Sequence, residues 1–185
     1  MKTEQINKGA PSESICVITF RLNRQVYALK VETIKKIIDM VKITPVPQLQ
    51  GVMEGVINFH GTAIPVLHLS KYLSLPVQRI QLSTPILIMT VGGRTIGLIV
   101  DEILDVVHLP ISDLIPPGRF LPEELSQVPS LLGLLHAPQG TILLLDLECL
   151  FVPQQISLVH SAIRSFAKSG RDLDLEISEM TETGS

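Results

Sequence analysis

Residues 86–103, ILIMTVGGRTIGLIVDEI, contain two short apolar runs separated by a pair of glycines. Runs of Val, Ile and Leu of this length, bounded by turn residues, are typical of β-strands. The pair Gly92-Gly93 favours a tight two-residue hairpin turn. The stretch therefore predicts a strand, a turn and a second strand that ends at the acidic pair Asp101-Glu102.

The same pattern occurs earlier in the chain, which therefore contains an internal repeat. Three segments of the first half recur in the second: Asn23-Arg24 as Gly92-Gly93, Val31–Ile34 as Val100–Ile103, and Leu67–Leu73 as Leu145–Phe151. Each half predicts two paired strands, an acidic turn, a third strand, a proline-bearing loop, two more strands and a short helical turn. Five short strands suit a small closed barrel, because closure leaves no exposed sheet edge.

The repeat divides the body of the chain into barrel halves at about residues 15–80 and 81–153. A half of about 70 residues has only a marginal core. We therefore expect the two halves to pack on each other as one folding unit, with intertwining between them left open. Residues 1–14 are polar and predict a flexible N-terminal arm.

The C-terminal residues differ from the repeat. Apolar side chains recur at helical spacing in residues 154–168, namely Ile156, Val159, Ile163 and Phe166. This spacing predicts an amphipathic C-terminal helix that covers one barrel. Residues 169–185 are acidic and poor in apolar side chains, which predicts a solvated tail.

Composition argues against several functional classes. A formal net charge of -3 provides no basic footprint for nucleic acid, and an aromatic content of 4% without Trp argues against base stacking. The longest apolar runs are too short to span a bilayer, and the polar N-terminus has no secretory signal. We therefore expect no membrane insertion and a cytoplasmic location. Cys16 and Cys149 lie within apolar runs and are predicted to be buried, reduced thiols.

No set of side chains forms a recognisable catalytic or metal-binding motif. The five histidines, His60, His68, His108, His136 and His160, follow no zinc-binding spacing. His60 and His68 could share a face, but no Cys or carboxylate cluster accompanies them. Asp101 and Glu102 are adjacent at a strand end and should point apart, so we expect them to satisfy turn backbone groups. We predict a protein that is not an enzyme, with no catalytic residues, cofactor or metal.

Three segments in order resemble the signatures of CheW-like domains. They are GVINFHGTAIPVLHL at residues 55–69, IGLIVDEI at residues 96–103, and LGL at residues 132–134 followed by LLLDL at residues 143–147. The family has a G-V-I-N-L-R-G segment before an apolar strand with a D-L pair, and a G-L-x-V-D-x-V segment. The order and spacing hold from about Ser14 to about Pro153.

The resemblance implies an all-β fold of two SH3-like five-stranded barrels, related by a pseudo-twofold axis, with short helices. It also implies a non-catalytic adaptor that couples methyl-accepting chemoreceptor tips to the regulatory domain of a CheA-type histidine kinase. The candidate partner-binding residues are Lys36, Ile38, Asn58, Phe59, His60 and Gly61. Val100, Asp101 and Asp146 are assigned to a structural turn-and-strand motif.

Three departures from the family pattern change charge. The arginine of the N-[L/F]-R-G segment is His60, a common glutamate is Lys36, and the aspartate of the first D-L pair is His68, although Asp146 is kept. An arginine fork can hold a carboxylate through two hydrogen bonds, whereas a neutral imidazole has one donor and one acceptor. We therefore expect an altered and pH-sensitive contact at His60, as in a divergent chemosensory pathway. An alternative function is a small-ligand or peptide sensor that uses the cleft between the barrels.

Overall fold

The computed structural model of the chain describes residues 13–46, 51, 53–121, 130–137 and 140–150. The strands are β1 (Ser14–Leu22), β2 (Gln25–Lys30), β3 (Ile34–Ile38), β4 (Met53–Phe59), β5 (Thr62–His68), β6 (Ile86–Val91), β7 (Arg94–Ile99), β8 (Glu102–Pro110), β9 (Leu131–Ala137) and β10 (Gly140–Leu145). Two short helices, α1 (Leu69–Tyr72) and α2 (Leu147–Leu150), follow β5 and β10.

Single 3-10 turns lie at Val31–Thr33, Ile111–Asp113 and Pro117–Arg119. The predicted helix at residues 154–168 and the acidic tail lie outside the described residues, as does most of the N-terminal arm. Ser14, the last residue of the predicted arm, belongs to β1 and pairs with Pro110. Within the described part of the chain, no helix is long and apolar enough to cross a membrane.

The ten strands form two five-stranded sheets with equivalent topology. One sheet has the order β8-β1-β2-β10-β9 and the other has the order β3-β6-β7-β5-β4. Moving each strand of the second sheet to its repeat counterpart reproduces the order of the first. This equivalence confirms the predicted all-β fold of two related five-stranded units.

Each sheet takes strands from both halves of the sequence. A parallel pair joins the halves in each sheet: Leu144 of β10 lies opposite Ala28 of β2, and Val66 of β5 lies opposite Gly97 of β7. Residues 15–80 and 81–153 therefore do not form separate barrels, and the intertwining left open above is present. A half of about 70 residues buries little surface alone, so the exchange of strands makes the two halves one unit.

The apolar runs are continuous because both faces of the central strands are buried. In β6, Ile86 and Ile88 pack inside one sheet with Ile57, whereas Leu87 and Met89 pack in the core between the two sheets. A strand alternates its side chains between two faces, so a strand buried on both faces loses the polar alternation. Each sheet thus has its own interior cluster, and a larger shared core lies between them.

Each sheet closes into a barrel through the segment that follows its edge strand β3 or β8. Beyond β3, Thr44 exchanges two backbone hydrogen bonds with Val56 of β4, with N–O distances of 2.8 and 2.9 Å. Beyond β8, Ile115 makes the equivalent pair with Leu134 of β9, also at 2.8 and 2.9 Å. The chain that leaves one edge strand thereby pairs with the opposite edge, which closes a small barrel.

Two glycines permit this closure. A Cβ on Gly55 would collide with the carbonyl oxygen of Thr44, and a Cβ on Gly133 would lie 2.7 Å from the carbonyl oxygen of Ile115. Gly55 also has a φ of +149°, which other residues rarely adopt. Both glycines belong to the segments that resemble CheW-like domains, so part of that resemblance has a steric cause.

The two cysteines match the sequence prediction in part: neither forms a disulfide, but they differ in burial. Cys16 and Cys149 are both unpaired, but Cys16 is half-buried and Cys149 is exposed. The prediction of burial was wrong for Cys149, because α2 buries Leu147 and leaves the neighbouring Glu148 and Cys149 toward solvent. Carboxylates surround this thiol, and the nearby Asp146 raises its pKa.

Candidate partner-binding surface

The hairpin between β4 and β5 places His60 at an exposed tip. Phe59 pairs with Thr62, which leaves His60 and Gly61 as a two-residue turn with φ values of 51° and 81°. Positive φ at both positions is the geometry of a type I′ turn, and histidine tolerates it better than most residues. Asn58 Oδ1 accepts the Gly61 N–H at 2.9 Å, which fixes the turn.

Phe59 brings the remaining candidate residues together. The Lys36 ammonium lies 5.8 Å from the centroid of the Phe59 ring, and the His60 ring meets the same ring edge-on with centroids 4.5 Å apart. Ile38 and Phe59 both pack against the interior cluster of this barrel. The six candidate residues therefore form one surface, in which Ile38 is mainly a support and Lys36, Asn58, His60 and Gly61 are exposed.

Exposed apolar side chains lie on β3 and in the segments that follow β3 and precede β6. Ile37 and Val41 remain 42% and 43% exposed, and Leu82 remains 85% exposed. The Met40 N–H donates to the Leu82 carbonyl at 3.3 Å, so the loop before β6 lies beside the segment that follows β3. Sequence reasoning missed these residues, since apolar runs alone do not reveal which members are exposed. We call Lys36, Ile37, Val41, Phe59, His60 and Leu82 the β3 surface.

The repeat creates an equivalent surface on β8 with the opposite charge. Val106 is the repeat counterpart of Ile37 and is 51% exposed, while Ile111 is 41% exposed. Asp105 occupies the position of Lys36, and its Oδ1 accepts the Val106 N–H at 2.7 Å. We call Asp105, Val106 and Ile111 the β8 surface. The two surfaces therefore share backbone position and apolar character but differ in sign of charge.

The residues assigned to a structural motif hold the junction of the two sheets. Val100 is fully buried in the shared core. Asp101 Oδ2 accepts the Asn23 N–H at 2.6 Å, which ties the end of β7 to the β1–β2 turn. Asp146 Oδ1 accepts the Glu148 N–H at 2.9 Å and so caps α2.

His68 is the first-half counterpart of Asp146, but it does not cap the helix that follows it. It precedes α1 without making a capping hydrogen bond. The side chain is 1% exposed, and its Nδ1 has no hydrogen-bond partner in the described part of the chain. Burial lowers the pKa of His68 below its ordinary 6.5, with Glu54 opposing this effect. Glu54 itself is paired with Lys71 at 2.6 Å.

The described residues contain no cluster of three or more His, Cys, Asp or Glu side chains that could hold a metal. His60 and His68 lie at opposite ends of β5, the first exposed and the second buried. The structure therefore does not bring these two histidines together. His160 lies outside the described residues.

Comparisons with known proteins agree with this geometry. A family model for the CheW-like domain matches residues 17–154. The chemotaxis protein CheW of Thermotoga maritima is 32% identical over 93 residues, covering 50% of this chain and 61% of that protein. The CheW of Bacillus subtilis is 37% identical over 98 residues, covering 53% and 63%. The chain thus spans about three-fifths of the length of these two relatives.

A solved structure shares the fold. The crystal structure of scaffolding protein TtCheW from Thermoanaerobacter tengcongensis superposes with a TM-score of 0.67 at 24% identity. The match covers 77% of this chain and 96% of that chain. The two proteins therefore share their overall fold.

Proposed function

Because the chain belongs to the CheW-like domain family, we propose that it is an adaptor that couples chemoreceptors to a CheA-type histidine kinase. It acts in the cytoplasm through protein–protein contacts and catalyses no reaction. Its partners are the tips of methyl-accepting chemoreceptors and the regulatory domain of the kinase. Matched relatives named as chemotaxis proteins and a neighbour described as a scaffolding protein support this role.

The observation that carries the proposal is the pair of equivalent surfaces with opposite charge. An adaptor must hold two different partners at once and must not exchange them. Lys36 on the β3 surface favours an acidic partner, and Asp105 at the equivalent place on the β8 surface disfavours it. Charge complementarity of this kind chiefly determines partner choice and association rate.

The apolar side chains supply the affinity at both surfaces. Ile37 and Val106 each follow a charged residue, Lys36 or Asp105, and interfaces commonly combine an apolar centre with a polar rim. Burial of apolar area contributes about 25 cal/mol per Å² before the costs of association are subtracted. A dynamic contact of about micromolar affinity, near -8 kcal/mol, is the strength we expect at each surface.

We assign the receptor to the β3 surface and the kinase to the β8 surface. His60 stands where related proteins have an arginine, at the exposed tip beside Lys36. The two side chains offer hydrogen-bond donors to a receptor carboxylate. Lys36 remains in place through its contact with the Phe59 ring, which is worth about 0.5–1 kcal/mol at an exposed site.

The test is a pair of charge reversals measured against both partners. Lys36→Glu should weaken binding of a receptor-tip fragment about tenfold and leave the kinase regulatory domain unaffected, whereas Asp105→Lys should do the reverse. Arg119→Glu, at an exposed position on neither surface, is the matched control. Calorimetry with folded proteins at tens of micromolar reads out each affinity. Absence of binding to both partners would refute the adaptor role, and loss of the same partner in both variants would refute the assignment.

A further inference from the structure

A β-bulge interrupts β8 just before Asp105 and Val106 of the β8 surface. Thr19 of β1 lies opposite Asp105, but the next residue of β1 lies opposite Ile103, so one residue of β8 has no opposite. An unbroken strand alternates its side chains between two faces, whereas the successive side chains of Asp105 and Val106 are both exposed. The bulge therefore lets β8 present a charged and an apolar side chain next to each other.

The Thr19 hydroxyl completes the hydrogen bonding at this bulge. It donates to the Asp105 carbonyl oxygen at 2.9 Å, and it accepts the Asp105 N–H at 3.1 Å. Thr19 itself is buried, with 1% of its surface exposed. One buried side chain thus holds both backbone polar groups of a residue at which the bulge disrupts the regular ladder. Because backbone groups out of contact with water need a partner, the two bonds fix the place of the bulge.

The repeat shows that the fold itself does not require this hydroxyl. The other barrel has a bulge at the equivalent place, where Lys36 of β3 lies opposite Ile88 of β6. Ile88 is the repeat counterpart of Thr19 and is also buried, but its side chain has no hydrogen-bonding group. An apolar side chain is therefore sufficient for folding at this position, and the hydroxyl of Thr19 needs another explanation.

We propose that Thr19 is a positioning residue that holds the bulge of β8 in one register and so determines which β8 side chains meet the partner. A shift of register by one residue moves side chains to the other face of a strand. A bulge that moved along β8 would therefore withdraw Asp105 from the surface. The identity of the partner as the kinase regulatory domain rests on the proposed function, whereas the positioning of Asp105 does not.

Amide hydrogen exchange of the full chain tests the bulge without any partner. Thr19→Val removes the hydroxyl and keeps a β-branched side chain, and the variant should fold because Ile88 occupies the equivalent position. The Asp105 amide should exchange about tenfold faster, relative to other amides of β1 and β8, because it loses its hydrogen bond to the hydroxyl. Thr19→Ser, which keeps a hydroxyl, should retain slow exchange. Ile88→Val, the matched control in the other barrel, should leave the Asp105 amide unchanged.

Calorimetry against both partners tests the effect on binding. Thr19→Val should weaken binding of the kinase regulatory domain about fivefold, the equivalent of one hydrogen bond, and leave the receptor-tip fragment unaffected. In an Asp105→Asn background the further loss should be smaller, because both changes act through the same side chain.

Three results would each overturn the proposal: unchanged exchange of the Asp105 amide in Thr19→Val, unchanged kinase affinity in that variant, or equal losses of kinase affinity in both backgrounds. An unmodified chain that binds no kinase domain would instead refute the adaptor role. The exchange measurement would then still decide whether Thr19 holds the bulge, because it needs no partner.

Discussion

Closure of the two barrels should depend on Gly55 and Gly133. Gly55 avoids both a steric collision and backbone strain, and Gly133 avoids a collision alone. Alanine at Gly133 adds only steric collisions, with the carbonyl oxygen of Ile115 and with the Leu114 side chain, both at 2.7 Å, because the backbone there needs no unusual φ. Alanine at Gly140 adds only strain, since φ is +120° and nothing lies within 4 Å of the added Cβ. Alanine at Gly55 adds both, with φ at +149° and a collision with the Thr44 carbonyl. The three substitutions thus separate steric conflict from backbone strain.

The expected losses follow from these contacts. Strain at a positive φ costs about 1–3 kcal/mol, which is the whole effect expected for Gly140→Ala. Separating a closing strand removes two backbone hydrogen bonds, each worth about 0.5–1.5 kcal/mol, so Gly133→Ala should lose about 1–3 kcal/mol. Gly55→Ala should lose about 2–6 kcal/mol, the sum of the two effects.

Urea unfolding followed by circular dichroism measures these differences as changes in midpoint at constant slope. If Gly133→Ala is as stable as the unmodified chain, the collision at Gly133 is refuted. If Gly55→Ala is no less stable than Gly140→Ala, the collision at Gly55 is refuted. Closure should also affect partner binding. The segment that follows β3 pairs with Val56 of β4, and this pairing holds Lys36 of β3 beside Phe59 of β4. Under conditions where the variants are folded, Gly55→Ala should weaken the receptor contact more than the kinase contact.

Two further predictions concern the histidines that depart from the family pattern. Burial lowers the pKa of His68 in the folded state, so the unfolded chain takes up this proton first as pH falls. The free energy of unfolding should therefore decrease below about pH 6.5, by at most about 1.4 kcal/mol per pH unit, and urea unfolding of His68→Gln at pH 7.5 and 5.5 should show a smaller decrease. At the hairpin tip, His60→Gly should raise stability by up to about 1 kcal/mol, because glycine relieves the positive φ, yet it should weaken receptor-fragment binding. Unchanged binding in His60→Gly, measured by calorimetry beside His60→Arg, would exclude the imidazole from the contact.

Local features of the fold could be predicted from sequence because they depend on neighbouring residues. The Gly92-Gly93 turn and the repeat of Val31–Ile34 at Val100–Ile103 gave the hairpins and the equivalence of the two sheets. The exchange of strands could not be predicted in the same way. It depends on the parallel pairs of β2 with β10 and of β5 with β7, which join residues far apart in the chain. Strands that are apolar on both faces carry no polar pattern that would specify such a pairing.

The candidate site was predictable to the extent that it lies on the hairpin. Asn58, Phe59 and His60 are consecutive, and their turn follows from local chemistry. Lys36 was included through the family resemblance, and only the structure shows that it lies over Phe59. Leu82 could not be found, because its place beside the β3 surface depends on a backbone hydrogen bond from Met40.

Some positions of the repeat have the same residue in both halves, and we call these kept; others differ between the halves, and we call these broken. This division explains how one backbone pattern supports different functions. Positions that are kept, such as Gly55 and Gly133, meet steric demands that both barrels share. Positions at which the two halves differ lie on exposed strands or beside clefts, where a partner or ligand can be contacted. Examples are Lys36 and Asp105 on the exposed strands, and His68 and Asp146 beside the clefts. A substitution at a kept position should therefore act mainly on stability. A substitution at a broken position should act on one partner or ligand, because only one of the two equivalent places contains that charge.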